Sequence, residues 1–319
     1  MKTWPLFIRW FLALAVAVFI LSQLKDVLIK SAIEIASPKI IGAKVEMGSF
    51  SLGLLTHKIL IKNFRLYNPP GFPDQVFLVM PEVMVDADIP ALLKGKMHFP
   101  WVIFNMAKVI IIKNKEGKLN VDSLKIVEEQ QAAGKGKPLK LPVFKIDTLD
   151  LNLGKVIVED YTHAPPVRVS AYDVGVKNLK IRNINGLPKL VTIVLLEALK
   201  PTALRSAGLY AATTVLGATF LPALALGIAV AQDSAHADLH DGFQRVYGES
   251  LKLVHDLDGR VKKKDHDHIW AKVYNCDVVF TIQDKGWGKS SVRIKAREFL
   301  LPRLEIANGL LYQLTERLK

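Results

Sequence analysis

The chain of 319 residues has a single cysteine, Cys276. One thiol closes no intrachain disulfide and builds no cysteine-rich zinc site, so cysteine usage leaves the redox compartment undecided. Catalytic signatures are missing as well. There is no G-x-S-x-G, no phosphate-binding P-loop and no paired-carboxylate motif. The expectation is a protein that is not an enzyme, with no catalytic residues, no metal and no cofactor. Basic residues are not interleaved with aromatic ones, which counts against nucleic acid despite Lys262-Lys263-Lys264 and a net charge of +13. No long helical pattern separates the strand-like segments before Leu187. That excludes a βαβ arrangement and points to an antiparallel sheet.

Apolar residues are abundant instead. They make up 50% of the chain, and the mean hydropathy is +0.23, which suggests membrane contact. The N-terminal "MKTWPLFIRWFLALAVAVFILSQLKDVLIK" is apolar from Trp10 to Leu21. Pro5 to Leu24 has the length of about 20 residues that spans a bilayer core. The expected anchor residues are Trp4, Arg9, Trp10, Leu14 and Val18. Arg9 would snorkel to the head groups, and the tryptophans suit the membrane interface. A cleaved signal peptide is the competing reading, but no small-x-small site follows the run. Positive charges precede the span, so the N-terminus is expected in the cytoplasm and the body outside.

The helical pattern continues through "KDVLIKSAIEIASP", with Leu28, Ile29, Ala32, Ile33 and Ala36 on an apolar side and Pro38 as the stop. From Ala43 the period changes to that of strands, in "AKVEMGSFSLGLL", "HKILIKNFRLYN", "QVFLVMPEVMVDADI" and "KMHFPWVIFNMAKVIIIKNKEGKLNVDSL". "VFKIDTLDLNLGKVIVEDYT" and "PVRVSAYDVGVKNLKIRNI" complete the series. Lys115-Glu116-Gly117-Lys118 reads as a hairpin turn. Glu128 to Pro142 reads as a polar loop, with Lys135, Lys137 and Lys140 as solvated cations.

Leu187 to Lys200 reads as a helix stopped by Pro201. Ala207 to Ala231 then carries no charge over 25 residues. A second membrane span, a surface-lying or re-entrant hairpin broken at Pro222, and a buried helix pair compete for it. Gly208, Ala212 and Gly217 would let another helix approach closely. After Asp233 the pattern is helix, strands and helix, a small α+β module with Trp287 in a turn. His236 and His240 are four apart, as on one helical face, and Asp265-His266-Asp267-His268 form a second polar cluster. Neither has the spacing of a zinc site, and both read as solvated polar surface.

Several of these segments resemble one family. "GSFSLGLL", "IKNFRLYNPPGF", "VDADIPALLKG" and "NKEGKLNVDSLK" are similar to the N-terminal region of AsmA-like bacterial envelope proteins, over roughly Met1 to Ala198. The resemblance implies an inner-membrane anchor and a β-rich periplasmic body whose curved sheet forms a groove for acyl chains. The residues expected to face lipid are Phe77, Val79, Val83, Val85, Ile110 and Ile112, although a shift in strand register would exchange the two faces. The stretch from Asp238 to Lys319 resembles small α+β domains of envelope lipoproteins. That implies an extracytoplasmic C-terminus and favours the hairpin for Ala207 to Ala231.

The expected fold is therefore α+β. Residues 1–38 form an anchor and helical stalk, 39–186 the β-rich body, 187–232 a hydrophobic helical segment, and 233–319 the C-terminal module. The expected function is lipid handling or outer-envelope assembly in the periplasm, with membrane and phospholipid as partners. The chain is too short to bridge two membranes as one groove. A non-enzymatic adaptor in a larger envelope complex is the second reading, with envelope proteins or further copies of the chain as partners.

Overall fold

The computed structural model describes residues 24–53, 55–73, 75–124, 144–200, 233–299 and 301–319, without the Pro188 side chain. It contains two sheets. The first has seven strands: β1 (Val45–Glu46), β2 (Ser49–Gly53), β3 (Lys58–Tyr67), β4 (Val76–Asp86), β5 (Met97–Lys113), β6 (Phe144–Asp160) and β7 (Arg168–Asn185). Its order is β1-β3-β4-β5-β6-β7, with β2 also paired to β3. The second has six: β8 (Ala235–Leu239), β9 (Arg260–Lys264), β10 (His268–Val273), β11 (Cys276–Gly286), β12 (Lys289–Glu298) and β13 (Leu301–Pro302). Helices are α1 (24–40), α2 (Ile89–Leu93), α3 (Gly186–Leu199), α4 (Phe243–Asp256) and α5 (Leu304–Arg317). The chain divides into two interleaved compact units. One comprises the residues up to Ala107 with Ser123–Leu153 and Val176–Ile193; the other comprises Lys108–Asp122, Gly154–Gly175 and Val194–Lys319.

In the first unit, α1 turns its polar stripe inward. Asp26, Lys30, Glu34 and Ser37 follow helical spacing and therefore share a face. Asp26 accepts the Leu52 N–H at 2.9 Å, Glu34 the Met47 N–H at 2.7 Å, and Ser37 Oγ the Val45 N–H at 3.0 Å. Lys30 reaches the Gly48 carbonyl at 3.5 Å. A strand edge presents unpaired backbone groups, and here side-chain oxygens satisfy the donors. The opposite face of α1 is exposed and aliphatic: Leu24, Val27, Leu28 and Ile35 are 50 to 73% open to solvent.

Two points correct the expected architecture. Among the described residues no helix is long and apolar enough to cross a membrane. Most of the expected N-terminal span, with Trp4, Arg9, Trp10, Leu14 and Val18, lies outside those residues. The stalk itself is α1, whose charged stripe is spent on the sheet edge. The apolar side built on Leu28 and Ile33 is exposed rather than packed. Ala207 to Ala231 and the lysines at 135, 137 and 140 also lie outside the described residues. Of the hydrophobic helical segment, α3 is described; it is buried almost all round, including Thr192 and Glu197.

Burial along β4 is not a simple alternation. Phe77, Leu78 and Met80 are buried, and so is Val83 beyond the exposed Pro81. Asn63 lies between the register pairs Lys62↔Glu82 and Phe64↔Met80, at a left-handed φ of 52°. That conformation suits Asn better than most residues.

In the second unit, α4 and α5 pack on one face of the six-stranded sheet. Leu253, Ile269, Phe280, Ile294, Ile306 and Leu310 form its fully buried centre. Burial of each such side chain stabilises by about 1.5–3 kcal/mol. Cys276 belongs to this core, and burial pushes its thiol pKa up, which makes it a poor nucleophile. The Tyr274 hydroxyl donates to the Val167 carbonyl at 2.7 Å. Lys108 lies 5.2 Å from the centre of the Tyr312 ring. Gly309 on α5 is pressed against Val169, where a Cβ would stand 2.2 Å from the carbonyl oxygen.

Candidate functional site

The site is a cleft in the first unit, of about 320 Å³, at one end of strands β2 to β5. Antiparallel register builds it. Ser51 stands opposite Leu60, and Leu60 opposite Met84, as one cross-strand row. The next row outward is Gly53, Lys58 and Asp86. Trp101 and Ile103, two apart on β5, complete the lining. The floor is apolar, and the rim carries one ammonium and one carboxylate. Met84 is 37% and Trp101 44% exposed, which is unusual openness for side chains of this size in a sheet.

Neighbouring polar groups hold the lining in place. The Trp101 indole N–H donates to Asp150 Oδ2 at 3.0 Å. Asp150 is buried, and its Oδ1 has no hydrogen-bond partner among the described residues. At Gly53 a Cβ would stand 2.0 Å from Thr56 Oγ1, so a larger residue there would make the exposed Thr56 hydroxyl turn away. Beyond Asp86 the chain enters α2, capped by Asp88, whose Oδ1 accepts the Ala91 N–H at 3.0 Å. Asp88 Oδ2 also meets His98 Nδ1 at 3.0 Å, and Asp147 Oδ2 meets His98 Nε2 at 2.8 Å. Hydrogen bonds to Asp88 and then Asp147 hold the imidazole pKa above its ordinary value. The Asp88 carboxyl is lowered first by His98, and the Asp147 carboxyl first by Lys145. This clamp ties α2 to β5 and β6 beside the cleft.

The residues expected to face lipid are dispersed. Val85 lines the cleft. Val79 is half-buried, while Phe77 and Val83 lie in the core of the same strand. Ile110 and Ile112 are buried and belong to the second unit. Leu60, Met84, Trp101 and Ile103 escaped the sequence reading. Leu60 sits between Lys58 and Lys62 in alternation, so its face reads as polar until the register supplies Met84 beside it.

The two histidine clusters also resolve. His236 lies on strand β8 rather than on a helix, so four residues separate it from His240 by roughly 13 Å in an extended chain. Asp265, Asp267 and His268 offer ligand atoms within 4.8 Å of one another. Asp265 Oδ1 accepts the N–H groups of Asp267 and His268, which accounts for the cluster as a turn. No family model, curated protein or solved structure matches the chain.

Proposed function

We propose that the protein handles lipid in the cell envelope without catalysis, sheltering acyl carbon against the apolar floor of the cleft. The observation that carries this reading is the row Leu60–Met84 with Trp101 and Ile103 beside it, half-open to solvent around a cavity of about 320 Å³. That volume lies at the lower end of small-ligand pockets, about 300–1,000 Å³. It fits one chain or part of one. Lys58 and Asp86 at the rim suit the phosphate and amine of a zwitterionic head group. The AsmA-like resemblance of the flanking strands points the same way.

Native mass spectrometry of the detergent-purified protein, followed by lipid extraction, tests it. The wild-type chain should carry selectively retained phospholipid. Leu60→Asp and Met84→Asp should lose it while circular dichroism stays unchanged. Folded variants that keep the same lipid would end the cleft reading.

The adaptor reading has its own observation, the exposed aliphatic stripe of Leu24, Leu28 and Ile35 on α1. Such a stripe at helical spacing is complementary to a partner helix. It predicts that Leu28→Asp with Ile35→Asp lowers the mass of the native assembly and leaves bound lipid untouched.

A further inference from the structure

The six-stranded sheet has two chemically opposite faces. Ile269, Val278, Phe280 and Ile294 point into the core under α4 and α5. The alternate residues form cross-strand rows on the other face. One row is Arg260, Lys272, Asp277 and Arg297; the next is Lys263, Trp270, Val279 and Lys295. A third runs His268, Thr281, Arg293 and His236. Neighbouring rows and strands place these groups about 5–7 Å apart. Asp233 is shared by Lys295 and Arg297, and Asp277 pairs with Lys262. Arg260, Lys263, Lys272 and Arg293 form no salt bridge with a carboxylate among the described residues. Lysines on an edge strand such as β9 commonly guard against strand addition. That explanation does not reach Arg293, Lys295 and Arg297, which sit on β12 between β11 and β8 or β13.

We propose that this basic sheet face docks on an anionic phospholipid membrane. Cations spaced across one sheet face match the phosphates of a membrane surface, and each basic group near such a surface adds to the attraction. Trp270 is amphipathic and half-buried at the centre of the grid, the character of an interfacial residue. Single-stranded nucleic acid is the other polyanion to consider. It is held by aromatic faces on which successive bases stack. This face offers one indole, already flanked by the Lys263 ammonium at 5.0 Å and stacked on His268 at 5.1 Å. The observations therefore favour lipid.

The test uses the full chain and its triple variant Lys263→Gln, Lys272→Gln, Arg293→Gln. All three positions are exposed, so the fold should be kept, as circular dichroism will check. Binding is measured by co-sedimentation with vesicles of phosphatidylglycerol in phosphatidylcholine and with pure phosphatidylcholine, at matched ionic strength. Hydrogen exchange on the edge strand β9, compared with and without vesicles, reports whether this region is covered. The wild type should prefer the anionic vesicles, and the triple variant should lose roughly 100-fold of that preference, about fivefold per cation. Leu60→Asp should leave it unchanged, so failure of the cleft reading stays distinguishable. Equal binding of wild type and triple variant to anionic vesicles would overturn the proposal. So would no gain of protection on β9 when vesicles are added, or tighter binding of oligouridylate than of the vesicles.

Discussion

Replacing Asn120 with Ala should be among the most damaging single changes outside the apolar core. Asn120 is fully buried in the short 3₁₀ turn Asn120–Ser123 that follows the Lys113–Leu119 bridge. Its Oδ1 accepts the Ile112 N–H at 3.0 Å, and its Nδ2 donates to the Ile110 carbonyl at 2.9 Å. Residues two apart on a strand point their backbone groups the same way, so the side-chain amide stands in for a strand residue. Removing it leaves a donor and an acceptor unpaired beside Ile111 and Ile112, both fully buried. Each orphaned group costs about 1–3 kcal/mol, giving roughly 2–6 kcal/mol in total. A domain has only about 5–15 kcal/mol to lose. Urea unfolding followed by tryptophan fluorescence measures the difference, with half-buried Asn114→Ala, which loses one bond from the exposed Lys118 N–H, as the control. Asn120→Asp separates donor from acceptor. Its carboxylate can accept but not donate, whereas the protonated acid can do both, so this variant should gain stability as pH falls. An Asn120→Ala protein within about 1 kcal/mol of wild type, at unchanged denaturant slope, would refute the reasoning.

Two glycines should respond with opposite signs. Gly309→Ala drives a Cβ into the Val169 backbone and should destabilise by about 1–3 kcal/mol, whereas Gly248→Ala on α4 meets open space and should stabilise by about 0.5–1 kcal/mol, both read by thermal unfolding. The His98 clamp should make stability depend on pH. Its folded pKa is raised above the ordinary imidazole value of 6.5, so its contribution is complete below that value and is lost as pH rises through the folded pKa. Asp88 and Asp147 are lowered from 3.8, so theirs is present above that value and lost as pH falls through their folded pKa values. Stability curves across pH should flatten on the alkaline side in His98→Gln, with Lys145 and His57 as the other charges facing the clamp; an unchanged slope would count against it. Asp26→Ala should accelerate hydrogen exchange of the Leu52 amide and leave the Val45 amide, held by Ser37, protected.

Local chemistry was legible in the sequence. The Lys115–Lys118 turn forms, with Gly117 at a φ of 79°. Trp287 sits in its turn between Gly286 and Gly288, and α4 and α5 fall where apolar periodicity puts them. Three things depended on partners that periodicity cannot name. The stripe of Asp26, Glu34 and Ser37 has no reading from helical spacing alone, because nothing local announces a strand edge waiting for acceptors. Strand β4 buries Phe77 and Val83 on one face and Leu78 and Met80 on the other, so a strict two-residue alternation mixes core with surface. The cleft needs Leu60, Met84 and Trp101 from separate strands, and only register brings Leu60 beside Met84.

The docking of α1 also bears on assembly. A short sheet that is to be lengthened by further copies must offer an edge on which a new strand can pair. Along β1, β2 and the link between them, the N–H groups of Val45, Leu52 and Met47 are already donated to the helix. That border is closed to templated growth, so a continuous sheet built from many copies would need a different join.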